Sequence, residues 1–328
     1  MDFELSDDEV ALAEGVRRLC AGRFPLDALR AAEGSRAVVD AGAWQALADA
    51  GVFALRAADE GLGLGMAESA VVFEELGRAL VPGPLVASHL AASHGVVPGA
   101  ADGAVVVGSV ERPGTSGAGA VAPVLVEHLG ALGALVAVDD DGLSVVDVGA
   151  LDAVPVERSI DPLTPLWRVD RLPEGRPVGA PELGARWRRE ADVLDASLCV
   201  GLAFAMLDMA VEYAKGREQF GRPIGSFQAV KHLCADMLVR AETARAATHA
   251  AAVTIDQPDV GDQDRASAGA ALLASEAVVA NGRSCIQVHG GMGFTWEVPA
   301  HLFMTRGRVV AARMRPAAAL AEVVAERY

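Results

Sequence analysis

Cysteine is scarce and scattered. The four thiols, Cys20, Cys199, Cys234 and Cys285, lie far apart in segments with helical patterning, and no Cys-x-x-Cys pair occurs. Neither a disulfide framework nor a zinc site is indicated, no metal is expected, and a reducing cytosol suits such a chain. Positive charge is also short: 28 Lys and Arg face 44 Asp and Glu, a formal net charge of −16. That field argues against a general nucleic-acid or anionic-membrane surface, because it repels phosphate. The first residues, MDFELSDDEV, lack the apolar centre of a secretory signal. Apolar runs are broken by charge or glycine before membrane-spanning length. No internal repeat or long low-complexity tract appears. These absences predict a cytoplasmic protein with no nucleic-acid or membrane partner.

What is abundant is apolar residue: 52% hydrophobic against 22% charged over 328 positions. That supports a sizeable core in two or three domains, or in one multilayer fold. The texture changes twice. Up to residue 98 the chain reads as helices. Ser6 and Glu9 have capping-box spacing before VALAEGVRRLC, and AWQALADAGV, AESAVVFEELGRAL and LVASHLAAS follow, with a glycine-rich turn EGLGLG between the first two of these. From 99 to 181 short β-branched runs (AVVVGSV, ALVAVD, LSVVDV, AVPVERSI, LWRVDRL) alternate with Gly, Pro and Asp-Gly signals, which predicts a small antiparallel sheet or barrel. From 182 to 328 helical periodicity returns: a long helix over about 183–216, others over about 227–255 and 265–288, and a shorter piece after HGGMGFTWEVP.

One stretch stands out against this background. REQFGRPIGSFQAVKH, Arg217 to His232, sets two arginines, Arg217 and Arg222, around a Phe-Gly pair between two apolar helical runs. In so acidic a chain, a basic elbow suggests a held anion. Guanidinium fits phosphate oxygens bidentately, a helix starting near Phe227 offers free N–H groups, and Gly221 and Gly225 allow close approach. Taken alone, arginines in a helix–helix turn are more often solvated or bonded to carbonyls. Lys231 and His232 read as surface residues of the second helix, and His289 as a locally packed one.

The elbow also carries a resemblance. REQFGRPIGSFQAVKHLCADM is similar to the R-x-x-F-G-x-x-I-x-x-x-Q-x-x-x-x-x-x-A-D-M segment of the acyl-CoA dehydrogenase family, and IQVHGGMGFTWEVP to its Q-x-x-G-G-x-G-[FY] segment. EELGRALVPGP resembles members common in high-GC bacteria. The resemblance spans nearly the whole chain outside the β region. It implies an α+β fold with an N-terminal helical domain (1–98), a small trimmed antiparallel β domain (99–181) and a C-terminal four-helix-bundle domain (182–328). It further implies FAD at a subunit interface, an acyl-CoA substrate and electron-transfer flavoprotein as partner. Arg217, Phe220 and Gln228 would make the ADP-side contacts to a flavin held chiefly by the neighbouring subunit, with Gln287 and Gly291 adding to them.

The chain departs from the family where the chemistry is done. The family's glutamate base falls, by ungapped counting, at Met314 or, in the less common arrangement, at Ala191. Neither can take a proton. Glu190, Asp192 and Glu297 are the nearby substitutes, each with a structural reading: a one-residue shift on a helix re-aims a side chain by about 100°, and Glu297 before Pro299 suggests capping. Asp192 stands where the family often has an arginine near the acyl-CoA, so an anionic substrate would be repelled. SVERPGTSGAGA only echoes the family's T-E-P-x-x-G-S-D segment, the G-x-K-x-W-I-T-N segment has no counterpart, and Trp167 reads as a buried sheet residue. Three readings stay open: a non-catalytic subunit working with a full-length homologue, a self-sufficient flavin dehydrogenase with a displaced base, or a scaffold of the same fold.

Overall fold

The computed structural model describes residues 5–57, 61–112 and 123–327. The SVERPGTSGAGA segment falls largely outside them. Five helices come first: α1 (Asp7–Arg23), α2 (Leu26–Ala31), α3 (Ala41–Asp49), α4 (Met66–Arg78) and α5 (Leu85–Ser93). The capping box at α1 is made: the Ser6 amide donates to the Glu9 carboxylate at 2.8 Å, and the Glu9 amide returns a bond to the Ser6 hydroxyl at 3.3 Å. Asp40 caps α3 through the Ala43 amide. The short α2 had no counterpart in the sequence reading. Pro25 at its N-cap offers no side-chain acceptor, and six residues are too few for a clear period.

The chain divides into two compact units, one of Ala21–Gly65 and Pro82–Ala191, the other of Met1–Cys20, Met66–Val81 and Asp192–Tyr328. Among the described residues the first unit holds seven strands, β1 (Val107–Glu111), β2 (Val124–Glu127), β3 (Ala134–Asp139), β4 (Gly142–Val146), β5 (Ala153–Pro155), β6 (Leu166–Val169) and β7 (Arg176–Gly179). They form two sheets, β1-β3-β4-β7 and β2-β6-β5. Val110, Val124, Val126, Leu135, Ala137, Val146 and Val169 share one core between them. The expected Asp-Gly hairpin joins β3 to β4, with Asp139 opposite Gly142. One pairing departs from an all-antiparallel sheet: β1 runs parallel to β3, Val107 beside Ala134. The chain leaves the first sheet to make β2 in the second before returning, so β3 re-enters in the direction of β1. Trp167 on β6 is half-buried, not buried, and lies beside Val126 and Pro155.

The second unit is helical. Its long elements are α6 (Pro181–Gly216), which belongs to it from Asp192 onward, α7 (Gln228–Asp256), α8 (Gln263–His289) and α9 (Ala300–Arg313), with α10 (Ala317–Glu326) after them. The expected short last piece is therefore two helices, split at Pro316. Helix α4 crosses α6 at glycine: a Cβ on Gly77 would collide with the Leu198 carbonyl, and one on Gly201 with the Glu74 carbonyl. Buried Asn281 on α8 ties three helices, donating to the carbonyls of Ala203 on α6 (3.2 Å) and Met237 on α7 (3.0 Å). Asp256 at the end of α7 accepts from the first amides of α4, Met66 (2.8 Å) and Ala67 (3.0 Å). The sequence reading of the apolar runs needs correction here. Helix α6 contains an 18-residue window of mean hydropathy 1.8, long and apolar enough to cross a membrane by composition, but 89% of it is buried inside the protein.

Candidate functional site

The elbow forms where α6 ends. After Gly216 the chain makes a hairpin of β8 (Glu218–Gln219) and β9 (Arg222–Pro223), in which Gln219 pairs with Arg222. Its two central residues, Phe220 (φ 53°) and Gly221 (φ 75°), both lie at positive φ, as the tight turn that follows strand twist requires. Glycine does this freely. A phenylalanine held there costs on the order of 1–3 kcal/mol, a strain that clusters at functional loops. Phe220 is 93% exposed and meets Phe227 edge-on at 6.2 Å. The Arg222 guanidinium lies 4.2 Å over the Phe227 ring, a cation–π contact that stiffens the turn.

Backbone bonds anchor the elbow to the helix before it. The Arg217 amide donates to the Tyr213 carbonyl (2.9 Å), and the Ile224 amide to the Arg217 carbonyl (2.7 Å). The two glycines divide their work differently from the expectation. Gly221 supplies the turn. Gly225 lets the elbow pack on α6, where an added Cβ would stand 2.9 Å from the Ala214 carbonyl, so that approach is already used within the chain. The guanidinium of Arg217 is exposed and has no bonded or ion-paired side chain among the described residues. Helix α7 then opens at Gln228 with Phe227 as N-cap, which gives no side-chain acceptor to the first amides. Lys231 and His232 are exposed on its first turn.

The second segment ends α8. His289 is its last residue, and its Nδ1–H donates to the Cys285 carbonyl at 2.8 Å. Its ring stacks on Tyr213 of α6 at 4.2 Å. That stack brings the last turn of α6, from which the elbow springs, against the last turn of α8, which carries Gln287 and leads to Gly291. Both are exposed, and a Cβ at Gly291 would meet nothing within 4 Å. A cationic, unpaired arginine, free helix amides and a bare glycine backbone suit an anionic dinucleotide such as FAD. Nothing in the sequence pattern singled out Tyr213, whose part is to join the two segments.

The acids on α6 near the two expected base positions are engaged. Glu190 on α6 is fully buried. Its carboxylate accepts from Arg56 at 2.8 and 3.0 Å, from His94 Nε2 at 2.8 Å and from Arg186 Nε at 2.8 Å. Burial alone would push its carboxyl up, but the hydrogen bonds and charges of His94 and Arg56 outweigh it and hold the group well below the usual carboxylate range. In the helical unit, buried Asp192 accepts from Arg315 Nε and Nη2 at 2.9 and 2.7 Å, and Asp195 from Arg313 at 2.7 Å. The repulsion expected from Asp192 is therefore offset by Arg315. Met314, between these arginines, is buried, and Ala191 is half-buried. Glu297 is exposed, and the N-cap position of α9 is taken by Pro299. Sequence reasoning missed all of these cationic partners; Arg186 alone carries a local signal, its i,i+4 spacing from Glu190. Among the described residues no group of three or more His, Cys, Asp or Glu is placed to hold a metal.

The order of helices, small sheets and a second set of helices carrying the elbow is that of the acyl-CoA dehydrogenase family, and the chain belongs to it. The family models for the acyl-CoA dehydrogenase N-terminal and C-terminal domains match residues 6–99 and 193–314. Acyl-CoA dehydrogenase IpdE2 of Mycolicibacterium smegmatis is 32% identical over 95% of this chain and 96% of its own length. Acyl-CoA dehydrogenase FadE34 of Mycobacterium tuberculosis is 38% identical over 81% of this chain, which spans only 40% of that relative. Similar solved structures include the Tcur3481-Tcur3483 steroid ACAD (23% identity, 98% of this chain and 97% of that one, TM-score 0.82) and the ChsE4-ChsE5 complex from Mycobacterium tuberculosis (23%, 99% and 98%, 0.80). At that identity they establish the fold.

Proposed function

We propose that this chain is a non-catalytic subunit of a heteromeric, FAD-linked acyl-CoA dehydrogenase, contributing its elbow to the flavin of a full-length homologous subunit in the cytoplasm. One observation carries the reading: the two family base positions hold Ala191 and Met314, while the nearest acids on α6 are tied in ion pairs with Arg56, Arg315 and Arg313. Dehydrogenation of an acyl thioester needs a carboxylate beside the α-carbon to take a proton, and FAD, when bound, supplies the hydride acceptor. Arg217, Phe220, Gln228, Gln287 and Gly291 are the residues that would hold its ADP half, and electron-transfer flavoprotein would take the electrons onward. Two comparisons support a partnered role. Two similar structures carry two-component names, and FadE34 is long enough to contain a second chain of this size.

The equal length of IpdE2, itself named an acyl-CoA dehydrogenase, favours a second reading: a self-sufficient enzyme with a displaced base. Purification of the chain alone separates the two. A partner subunit is colourless or carries well below one FAD per chain, and oxidises no acyl-CoA with an artificial electron acceptor in excess FAD. It turns over once mixed with a homologue that has the glutamate and a complete middle domain. A yellow, stoichiometric and active preparation whose activity disappears in Glu190→Gln, Asp192→Asn or Glu297→Gln makes the chain an enzyme in its own right.

A further inference from the structure

Helix α8 exposes one continuous face toward its C-terminal end, on which Arg283 stands one turn before Gln287 while Asn281, Gly282, Cys285, Ile286, Val288 and His289 are buried. Among the described residues Arg283 has no hydrogen-bond or ion-pair partner. Beside it lies a second guanidinium without a carboxylate: Arg240 of α7 donates from Nε to Asn281 Oδ1 and from Nη2 to Ser284 Oγ, both at 3.0 Å. Asp236, one turn earlier on α7, makes no ion pair with it. In a chain of net charge −16, two neighbouring arginines that attract no acid are unusual, since each could have found one. At 100° per residue, Gln287 falls in azimuth between Arg283 and Ser284, one turn farther along. Arg283 and Gln287 therefore share one exposed side of α8, next to the Ser284 that holds Arg240 and one turn before the open backbone at Gly291.

We propose that Arg283, with Arg240 held ready by Ser284, forms an anion site for a phosphate-bearing group next to the elbow, extending the dinucleotide contacts beyond Arg217 and Gln287. The inference rests on the reading that Gln287 and Gly291 face a nucleotide. The phosphate would come either from the diphosphate of the flavin cofactor or from the phosphorylated adenosine of coenzyme A. Arg283 is exposed and unbonded, so Arg283→Ala leaves the fold intact. Arg240 is packed between helices and is not used as the test.

The test is calorimetric titration of the flavin-free assembled complex with ADP, which shares the diphosphate of FAD, and separately with coenzyme A, at low and at 0.5 M salt, a concentration that screens surface charge (on the order of a 4 Å Debye length). We expect Arg283→Ala to weaken one of the two by about tenfold or more at low salt, with the loss largely recovered in Arg283→Lys and compressed at high salt. An effect on ADP assigns the site to the flavin diphosphate, and an effect on coenzyme A alone assigns it to the thioester's nucleotide. If Arg217→Ala weakens ADP binding and Arg283→Ala changes neither ligand, the site does not exist although the elbow reading stands. If neither variant alters either titration, or the unmodified complex binds neither ligand at millimolar concentration, both fail.

Discussion

Glu190 and Arg56 stand 134 positions apart in sequence and meet in two bonds of 2.8 and 3.0 Å with the carboxylate wholly out of solvent. With His94 and Arg186 also donating, this carboxylate is a fastener and a poor proton acceptor. Glu190→Gln leaves the buried Arg56 and His94 without their counter-charge and lowers stability by about 3–5 kcal/mol. Denaturant unfolding of the isolated chain measures this. The assembled complex keeps its turnover per folded molecule, and a selective loss of turnover at unchanged stability overturns the assignment.

Acid lowers stability in two windows. Burial pushes His89 down to about 4, against 6.5 for an ordinary histidine, with its Nδ1–H given to the Val52 carbonyl and Arg56 nearby. A histidine with a depressed folded value destabilises the fold as pH drops from about 6.5 to about 4, because only the unfolded chain takes the proton there, an effect of about 3 kcal/mol. Glu190, also depressed, contributes stability that is complete above its ordinary value near 4.5 and is lost below it. His89→Gln should flatten the upper window in a pH series of melting curves and leave the lower one.

On the proposed reading, Arg217→Ala removes a charge-assisted phosphate contact worth roughly 1.5–3 kcal/mol. FAD retention by the assembled complex falls about tenfold or more, and the melting temperature of the isolated chain changes little. Unfolding with normal flavin retention in the surviving fraction would make Arg217 structural.

On the proposed reading, Phe220 trades stability for contact with the flavin. Replacing it with glycine relieves the positive-φ strain, so the isolated chain gains about 1 kcal/mol, while the assembled complex holds FAD less tightly because an exposed aromatic face is gone. Calorimetric melting and flavin titration report the two effects separately. A variant that loses both shows that the ring supports the fold.

The crossing of α4 and α6 depends on hydrogen at two positions. Gly201→Ala drives a methyl into the Glu74 carbonyl and costs at least about 3 kcal/mol. Gly269→Ala on α8, where a Cβ meets nothing within 4 Å, adds about 1 kcal/mol through helix propensity. Chemical denaturation of the pair tests both signs.

Much of this fold was legible because its signals are local. Ser6 and Glu9 announced α1 by spacing alone, and periodicity placed α6, α7 and α8 to within a few residues. The elbow was legible as residue types, Arg217 and Gln228 among them. What escaped needed distant partners. The direction of β1 against β3 depends on where the chain goes through β2, and four residues such as VLVE or RPVG carry too little alternation to mark a strand. The pairing of Asp192 could not be read without Arg315, 123 positions away. The apolar window of α6 is a core feature only because other elements cover it.

The bonds from Met66 and Ala67 to Asp256 also set an order of events during synthesis. The two donors and their acceptor are separated by 190 and 189 residues, and the ribosome adds roughly 5–20 residues per second. The start of α4 therefore waits on the order of 10–40 s for its acceptor. Over that interval the apolar faces of α1 and α4 have no finished helical unit to join, which makes the nascent chain a natural client for a holding chaperone until α7 has emerged.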